Sequence, residues 1–437
     1  MKNMLAAMLV VASCASMAQA QQGALPKAAN PSETPSTPWP HPGFSLDQAV
    51  AAAGGSAPAI DAAAASTEAA QAARTVAGLR PNPVVQGQVE NIVGSGPYQG
   101  LRSAETTIGV AIPIELGGKR GARIGVADAQ IARAQLQSAI VAANIRAQVT
   151  QLYIAAVAAE RRLLAAQDQA RIAAEVLRAA GVRVQAGRAS PLEQQRADVA
   201  RVNADAMVER LTRLAGAARE NLARRIGSPI KGRLDTGLLD RLPPATFGPA
   251  VPARAAGTLA LAAADADLAI ADAGIRLARA NRIPDLNVGP ALRRLEATND
   301  TAAVFAISVP IPLFDNGRAA IAAAGAERMR ADAVRRATTL DVEQSITDAQ
   351  AEADNAATSA RAAAGPALAA ATETVRIARI GYREGKFGQL DLLDAERTLA
   401  ETRVAAIDAL ASYHDARARL ERLTAPAPTT IIRGTDR

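Results

Sequence analysis

Two periods of hydrophobic spacing organise the chain. The first is two residues. In 105–114 (ETTIGVAIPI), Thr106, Ile108, Val110, Ile112 and Ile114 share one face, and Glu105, Thr107, Gly109 and Ala111 share the other. In 303–313, Ala303, Phe305, Ile307, Val309, Ile311 and Leu313 oppose Val304, Ala306 and Ser308. A shorter alternating run precedes each: Val85, Gly87 and Val89 against Gln86, Gln88 and Glu90, then Leu286, Val288, Pro290 and Leu292 against Asn287, Gly289, Ala291 and Arg293. Alternation of this kind is a strand whose faces meet different surroundings. It predicts strands near 84–92, 104–114, 285–293 and 302–313. The second period is seven. Leu392, Leu399, Ala406, Tyr413 and Leu420 form one seam, with Leu393, Ala400 and Ile407 beside it. Two adjacent seams imply a helix with a helical neighbour on either side, as in a closed ring.

The elements come twice. VAIPIELGGKRGARI (110–124) aligns with ISVPIPLFDNGRAAI (307–321), and QAGRASPLEQQRAD (185–198) with REGKFGQLDLLDAE (383–396). The offset is nearly constant, which marks two copies of one unit. A proline-rich extended strap over 21–44 precedes the first copy, 45–226. A capping box, Ser45 to Gln48, starts a helix expected to run to Gly78. Two strands follow, then a helix from Gly118 to about Gln185, a turn at 186–190 and a return helix. That long helix spans ~100 Å, more than a globular domain needs. Residues 227–252 link the copies. The second copy, 253–424, repeats the plan with helix 253–281, long helix 317–380, turn 381–388 and helix 389–423, and 425–437 reads as a disordered tail.

Strands with one apolar and one small or polar face suit a membrane barrel with a wet lumen. A soluble half-buried sheet is the alternative, but nothing else in the chain offers a layer to cover it. Four strands cannot close on themselves, since single-chain barrels start at ~8. An open edge is not tolerated in lipid. The barrel is therefore expected to be shared between several copies of the chain.

Composition narrows the chemistry. The 437 residues are rich in alanine and contain 2% aromatics, which fits closely packed long helices. The net charge of +7 is interleaved with acids along helix faces, so no nucleic-acid footprint stands out. The N-terminus reads as a signal peptide over 1–20, with Ala18-Gln19-Ala20 as the cleavage site. Val11-Ala12-Ser13-Cys14 has the form of a lipoprotein box, the minority alternative, which would lipidate Cys14. Beyond the signal no apolar run of membrane-helix length is expected. HExxH, paired CxxC, GxSxG and phosphate-binding glycine loops do not occur. His41 and His414 stand apart without partners at ligand spacing. The reading is a non-enzyme with no cofactor and no metal-holding site.

The plan strand–strand–long helix–turn–helix, given twice, resembles the outer-membrane factors, the TolC-like channels of tripartite efflux systems. The most specific elements are IPIELGGKR (112–120), VPIPLFDNGR (309–318) and GYREGKFGQLDLLDAERTLAE (381–401). ELGGKR is most similar to the heavy-metal cation branch, the CzcC-like proteins. The resemblance implies a homotrimer: a 12-stranded β-barrel in the outer membrane of a Gram-negative bacterium, continued by a long periplasmic α-barrel. It implies a periplasmic adaptor and an inner-membrane RND pump as partners, with outer-membrane lipid around the barrel. Divalent heavy-metal export is the leading reading. Multidrug efflux or type I protein secretion on the same fold is the alternative, and a soluble periplasmic coiled-coil scaffold comes third.

The resemblance also assigns residues. Asp391 and Asp394 match the acids lining the periplasmic constriction, and at i, i+3 they share one helix face. Tyr382 matches a tyrosine that bonds to the neighbouring hairpin and holds the tip closed. Glu193 falls where the first copy carries an acidic partner, and Lys386 adds a salt bridge. The family often has arginine one position later, where this chain has Phe387. Gly187, Gly385 and Gly388 fit turns that need positive φ, and the same tip would dock the adaptor. Gly117 and Gly118 mark the strand-to-helix turn. Lys119 and Arg120, with Arg318 in the second copy, are placed at the periplasmic membrane interface with side chains reaching headgroups.

Overall fold

A computed structural model of the protein describes residues 43–245 and 253–428. The expected leader with Cys14, the strap up to residue 42, part of the linker and residues 429–437 lie outside the described residues.

Helix α1 (Leu46–Ser56) starts at the expected capping box: the Gln48 N–H donates to Ser45 Oγ at 3.3 Å and the Ser45 N–H to Gln48 Oε1 at 2.9 Å. The single helix expected to Gly78 is instead two. Ala57 is extended (φ −81°, ψ 118°) because Pro58 follows it and disfavours the helical conformation there. Helix α2 (Pro58–Ala77) then begins with proline in its first turn. Strands β1 (Val84–Glu90) and β2 (Glu105–Ile114) precede α3 (Lys119–Gln185) and α4 (Pro191–Ile226). The second copy gives α5 (Leu259–Asn281), β3 (Leu286–Leu295), β4 (Asp300–Ser308), α6 (Arg318–Ala362), α7 (Leu368–Arg383) and α8 (Gln389–Leu423). A π-helical turn at Ala363–Ala367, containing Pro366, separates α6 from α7. Proline cannot supply the N–H that a continuous helix would use there.

Matched backbone conformations support the duplication. Gly118 (φ 71°) and Gly317 (φ 73°) are left-handed just ahead of α3 and α6. Gly187 (φ 67°) and Gly385 (φ 72°) are left-handed at the two hairpin tips.

The four strands form one antiparallel sheet in the order β1-β2-β3-β4. The copies meet at β2 and β3, where Ile108 opposes Leu292 and Ile112 opposes Val288. Strand β4 stops at Ser308, five residues short of the expected end at Leu313. Ser308 pairs with Asn287, so only Leu286 lies beyond it on β3 and 310–313 run past the end of that strand. Pro310 and Pro312 also lack the N–H groups a ladder needs.

The two faces differ as the alternation predicts. Ile108, Val110, Ile112 and Ile114 are exposed, as are Leu292, Phe305 and Ile307 on the same side. The opposite side carries the small and polar residues. Gly109 and Ala111 are half-buried there, and a Cβ on Gly109 would lie 2.5 Å from Ala291 Cβ.

The helices pack around α3. Ala49, Ala53, Val149, Tyr153, Val157, Leu222, Ile226 and Leu410 form one buried cluster from α1, α3, α4 and α8, capped by Leu234 and Leu239 of the linker. One window of α3 is long and apolar enough to pass for a membrane span by composition, contrary to expectation. Its helix nevertheless packs in this bundle, where Val149, Tyr153, Ala156 and Val157 are buried. The Tyr153 hydroxyl lies 2.8 Å from the Phe44 carbonyl and 2.9 Å from that of Asp235, tying the end of the strap to the linker. The tail is ordered further than expected: Pro426 bridges Thr258, and the Ala427 N–H donates to the Gly257 carbonyl at 2.9 Å.

On α8 the first seam is buried over its first three residues and half-buried at Tyr413 and Leu420. Leu392, Leu399 and Ala406 are buried, whereas Leu393, Ala400 and Ile407 are half-buried. Leu393 and Ala400, with Val404, line an open groove of about 780 Å³ between α3, α4 and α8.

Candidate channel constriction and membrane collar

At the tip of the second hairpin, α7 ends at Arg383 and α8 begins at Gln389. The Lys386 and Phe387 N–H groups donate to the Gly381 carbonyl at 2.8 and 3.2 Å. The Phe387 ring covers Gly381 so closely that no Cβ fits beneath it. Phe387 is thus part of the turn's own packing. Gly388 is extended (φ −76°, ψ 165°), not left-handed as expected, because it opens α8 instead of closing the turn.

Asp391 and Asp394 are both exposed on α8. Asp391 Oδ2 accepts the Gly388 N–H at 2.9 Å, so this acid does the capping a helix N-terminus favours. Asp394 has no hydrogen bond or ion pair among the described residues. The next carboxylate, Glu396, points the other way. It is buried and pairs with Arg379 at 2.6 Å, pinning α7 to α8.

Tyr382 is buried, and the Arg183 guanidinium of the first hairpin stacks 4.7 Å above its ring. Such a contact contributes about 0.5–1 kcal/mol or more as it is desolvated. The Tyr382 hydroxyl has no partner among the described residues. Lys386 pairs with Glu384 of its own turn at 2.7 Å, and both are exposed. The hairpins are joined instead by Gln389, whose Nε2 donates to the Glu193 carbonyl at 2.9 Å. Glu193 Oε2 and Gln389 Oε1 are buried there without partners among the described residues. Arg183, Arg379, Gln389 and Glu396 were not legible as tip residues. The available signal was a charge, Glu396, set among Leu392, Ala395 and Leu399.

At the other end of the long helices is a polar collar. Gly117 and Gly118 turn the chain from β2 into α3 with φ of 68° and 71°. Lys119 does not reach outward as expected. Its Nζ lies 2.8 Å from Asp285, and its side chain is only 11% exposed. Asp285 precedes β3 and also accepts the Leu116 N–H at 3.2 Å, so the lysine neutralises a carboxylate on the turn itself. Arg120 donates to the Gly78 carbonyl at the end of α2. Arg318 is exposed and has no side-chain hydrogen bond or ion pair among the described residues. Arg123, unforeseen, forks onto Glu115 (Nη2 to Oε2 3.0 Å) and reaches the Ala77 and Leu79 carbonyls at 3.3 and 3.2 Å. The Arg123 hydrogen bonds outweigh burial and hold the Glu115 carboxyl below its ordinary range. For Asp285, burial is the largest influence and pushes upward, but the Lys119 and Leu116 hydrogen bonds with nearby positive charge leave its pKa lowered.

A sheet with an exposed apolar face, joined through a polar collar to helical hairpins of which the second carries exposed acids at its tip, fits a channel of the outer-membrane type. The chain belongs to the outer membrane efflux protein family, whose pattern matches residues 50–228 and 254–425 and breaks at the linker between the copies. It is 29% identical over 381 residues to the cobalt-zinc-cadmium resistance protein CzcC of Cupriavidus metallidurans, covering 87% of this chain and 90% of that one. It is 33% identical over 284 residues to the nickel and cobalt resistance protein CnrC of the same organism, covering 64% and 67%. The crystal structure of the outer membrane protein VceC from Vibrio cholerae superimposes with a TM-score of 0.69 at 17% identity, covering 87% and 96%. The fold is therefore that of the TolC-like channels, and the protein is an outer-membrane efflux component extending into the periplasm. The soluble scaffold falls away with that membership.

Proposed function

We propose that this channel is the outer-membrane part of a tripartite efflux system exporting divalent heavy-metal cations of the cobalt, zinc and cadmium kind. Three copies share one barrel. A periplasmic adaptor docks at the hairpin tips, and an inner-membrane RND pump delivers the cargo. The metal reading is supported by relatives named for cobalt, zinc, cadmium and nickel resistance. The sharing of the barrel is supported by an apolar strand face left uncovered, and a four-stranded sheet left with both edges open, among the described residues.

The observation that carries the mechanism is the division of labour on the first turns of α8. Asp391 caps the helix, and Asp394 is exposed with no hydrogen bond or ion pair among the described residues. Three chains around one axis would present six such carboxylates. A ring of acids draws cations and repels anions. Tyr382, Glu193, Gly187, Gly385 and Lys386 shape the tip that carries the ring. Single-channel recordings of the reconstituted channel test this: Asp391→Ala with Asp394→Ala should weaken block by polyvalent cations added on the tip side. Unchanged block would remove the acids from the constriction.

A further inference from the structure

A second charged assembly lies at the far end of the barrel from the collar, where β1 turns into β2. Glu90 and Glu105 are directly opposed in the β1–β2 register, on the face opposite the apolar one, with Gln88 and Thr107. Like charges so placed repel, destabilising the pair. Arg293 of β3, opposite Thr107 in register, reaches across β2 to resolve this. Its Nε donates to Thr107 Oγ1 at 2.9 Å, its Nη1 to Glu105 Oε2 at 2.8 Å, and its Nη2 lies 3.2 Å from Glu90 Oε2. Asn91 Nδ2 donates to the other Glu105 oxygen at 3.4 Å. One planar guanidinium thus spans three strands, which the point charge of a lysine could not do with the same geometry.

We propose that Arg293 is a specificity-determining residue of the exit: a tethered cation that keeps the Glu90–Glu105 pair from trapping divalent cargo. The inference rests on the proposed trimeric cation channel. Two facing carboxylates are hard oxygen donors of the kind that hold divalent ions. Conduction requires binding weak enough for the ion to leave. The guanidinium occupies the position between the carboxylates and cannot diffuse away. The exit keeps a cation-attracting charge, since two acids and one arginine leave 2 − 1 = 1 net negative charge per chain. It loses the paired oxygens that would stop a passing ion.

The test uses planar-bilayer recordings of the full channel, with Zn²⁺ added from the barrel side in potassium chloride. Arg293→Gln should lower the blocking concentration by about tenfold, the equivalent of ~1.4 kcal/mol. Adding Glu90→Gln and Glu105→Gln to Arg293→Gln should restore wild-type block, which a purely structural role for the arginine would not do. An Arg293→Gln channel blocked at the wild-type concentration overturns the proposal, and so does a triple variant that stays sensitive. Should Arg293→Gln fail to assemble, Glu90→Gln with Glu105→Gln in the wild-type background strands the arginine. Its reversal potential should then shift towards chloride selectivity, and an unshifted potential overturns the proposal. A wild-type protein that forms no channel would sink the proposed function itself, a result distinct from any of these.

Discussion

Arg123 is the residue on which the junction between barrel and helices should depend most. Its guanidinium forks onto Glu115 at the end of β2 and donates to two carbonyls at the end of α2. Removing one member of a buried ion pair costs about 3–5 kcal/mol, because the survivor is left charged and unpaired. Here Glu115 is 13% exposed and Arg123 31%, so water at the arginine reduces that to about 2–3 kcal/mol for Arg123→Met. The freed carbonyls add less, since Leu79 is exposed and Ala77 only half-buried. A double-mutant cycle with Glu115→Gln isolates the pair, with an expected coupling of about 1–3 kcal/mol. The readout is urea unfolding of the detergent-solubilised protein, followed by circular dichroism. The pH dependence has a definite sign. The folded Glu115 pKa lies below its ordinary value, so its stabilisation is fully present above the unfolded carboxylate pKa and is lost as pH falls through the lower folded one. The gap between wild type and Arg123→Met should therefore narrow on acidification below about pH 4.5. A coupling under ~0.5 kcal/mol, or a gap constant from neutral to acid pH, would refute the collar as a closely coupled pair.

The barrel and the helical core offer further checks. Gly109→Val would drive a side chain into Ala291 and into the Pro290 carbonyl 2.9 Å away, where backbone cannot yield, and should cost about 1–3 kcal/mol. Gly289→Ala on the same face meets Ala306 Cβ at an ordinary 3.6 Å and should be nearly neutral, so the temperature at which the assembled protein dissociates on a gel should fall only for the first. His414 has a lowered pKa, chiefly through burial, with the Arg417 charge adding to it and a backbone hydrogen bond at Leu238 opposing it. As pH falls below about 6.5 the unfolded chain takes up that proton first, so stability should decline. His414→Gln should flatten that slope in denaturation midpoints measured from neutral to mildly acid pH.

Much of this architecture is local, and local features were legible along the chain. Alternation placed all four strands. Seven-residue spacing picked out Leu392, Leu399 and Ala406, which are buried on α8. Repetition at a near-constant offset placed matching left-handed glycines at both tips. Each of these depends on which way successive side chains point, and the backbone fixes that within a few residues. Proline sets two limits inside these elements: the break at Ala57 before Pro58, and the end of β4 before Pro310 and Pro312.

The charged partnerships were decided at longer range. Lys119 could have faced solvent, but the fold sets Asp285, 166 residues away, beside it. Arg293 could have been one more polar residue in a lumen, but strand register sets it over two opposed glutamates 188 and 203 positions earlier in the chain. Charge–charge pairing needs only proximity, so it leaves no periodic trace in the chain. The sequence alone determined which elements form and which faces they hide. The tertiary structure alone decided which charges meet, because only sheet register and helix packing bring such distant side chains within hydrogen-bonding reach.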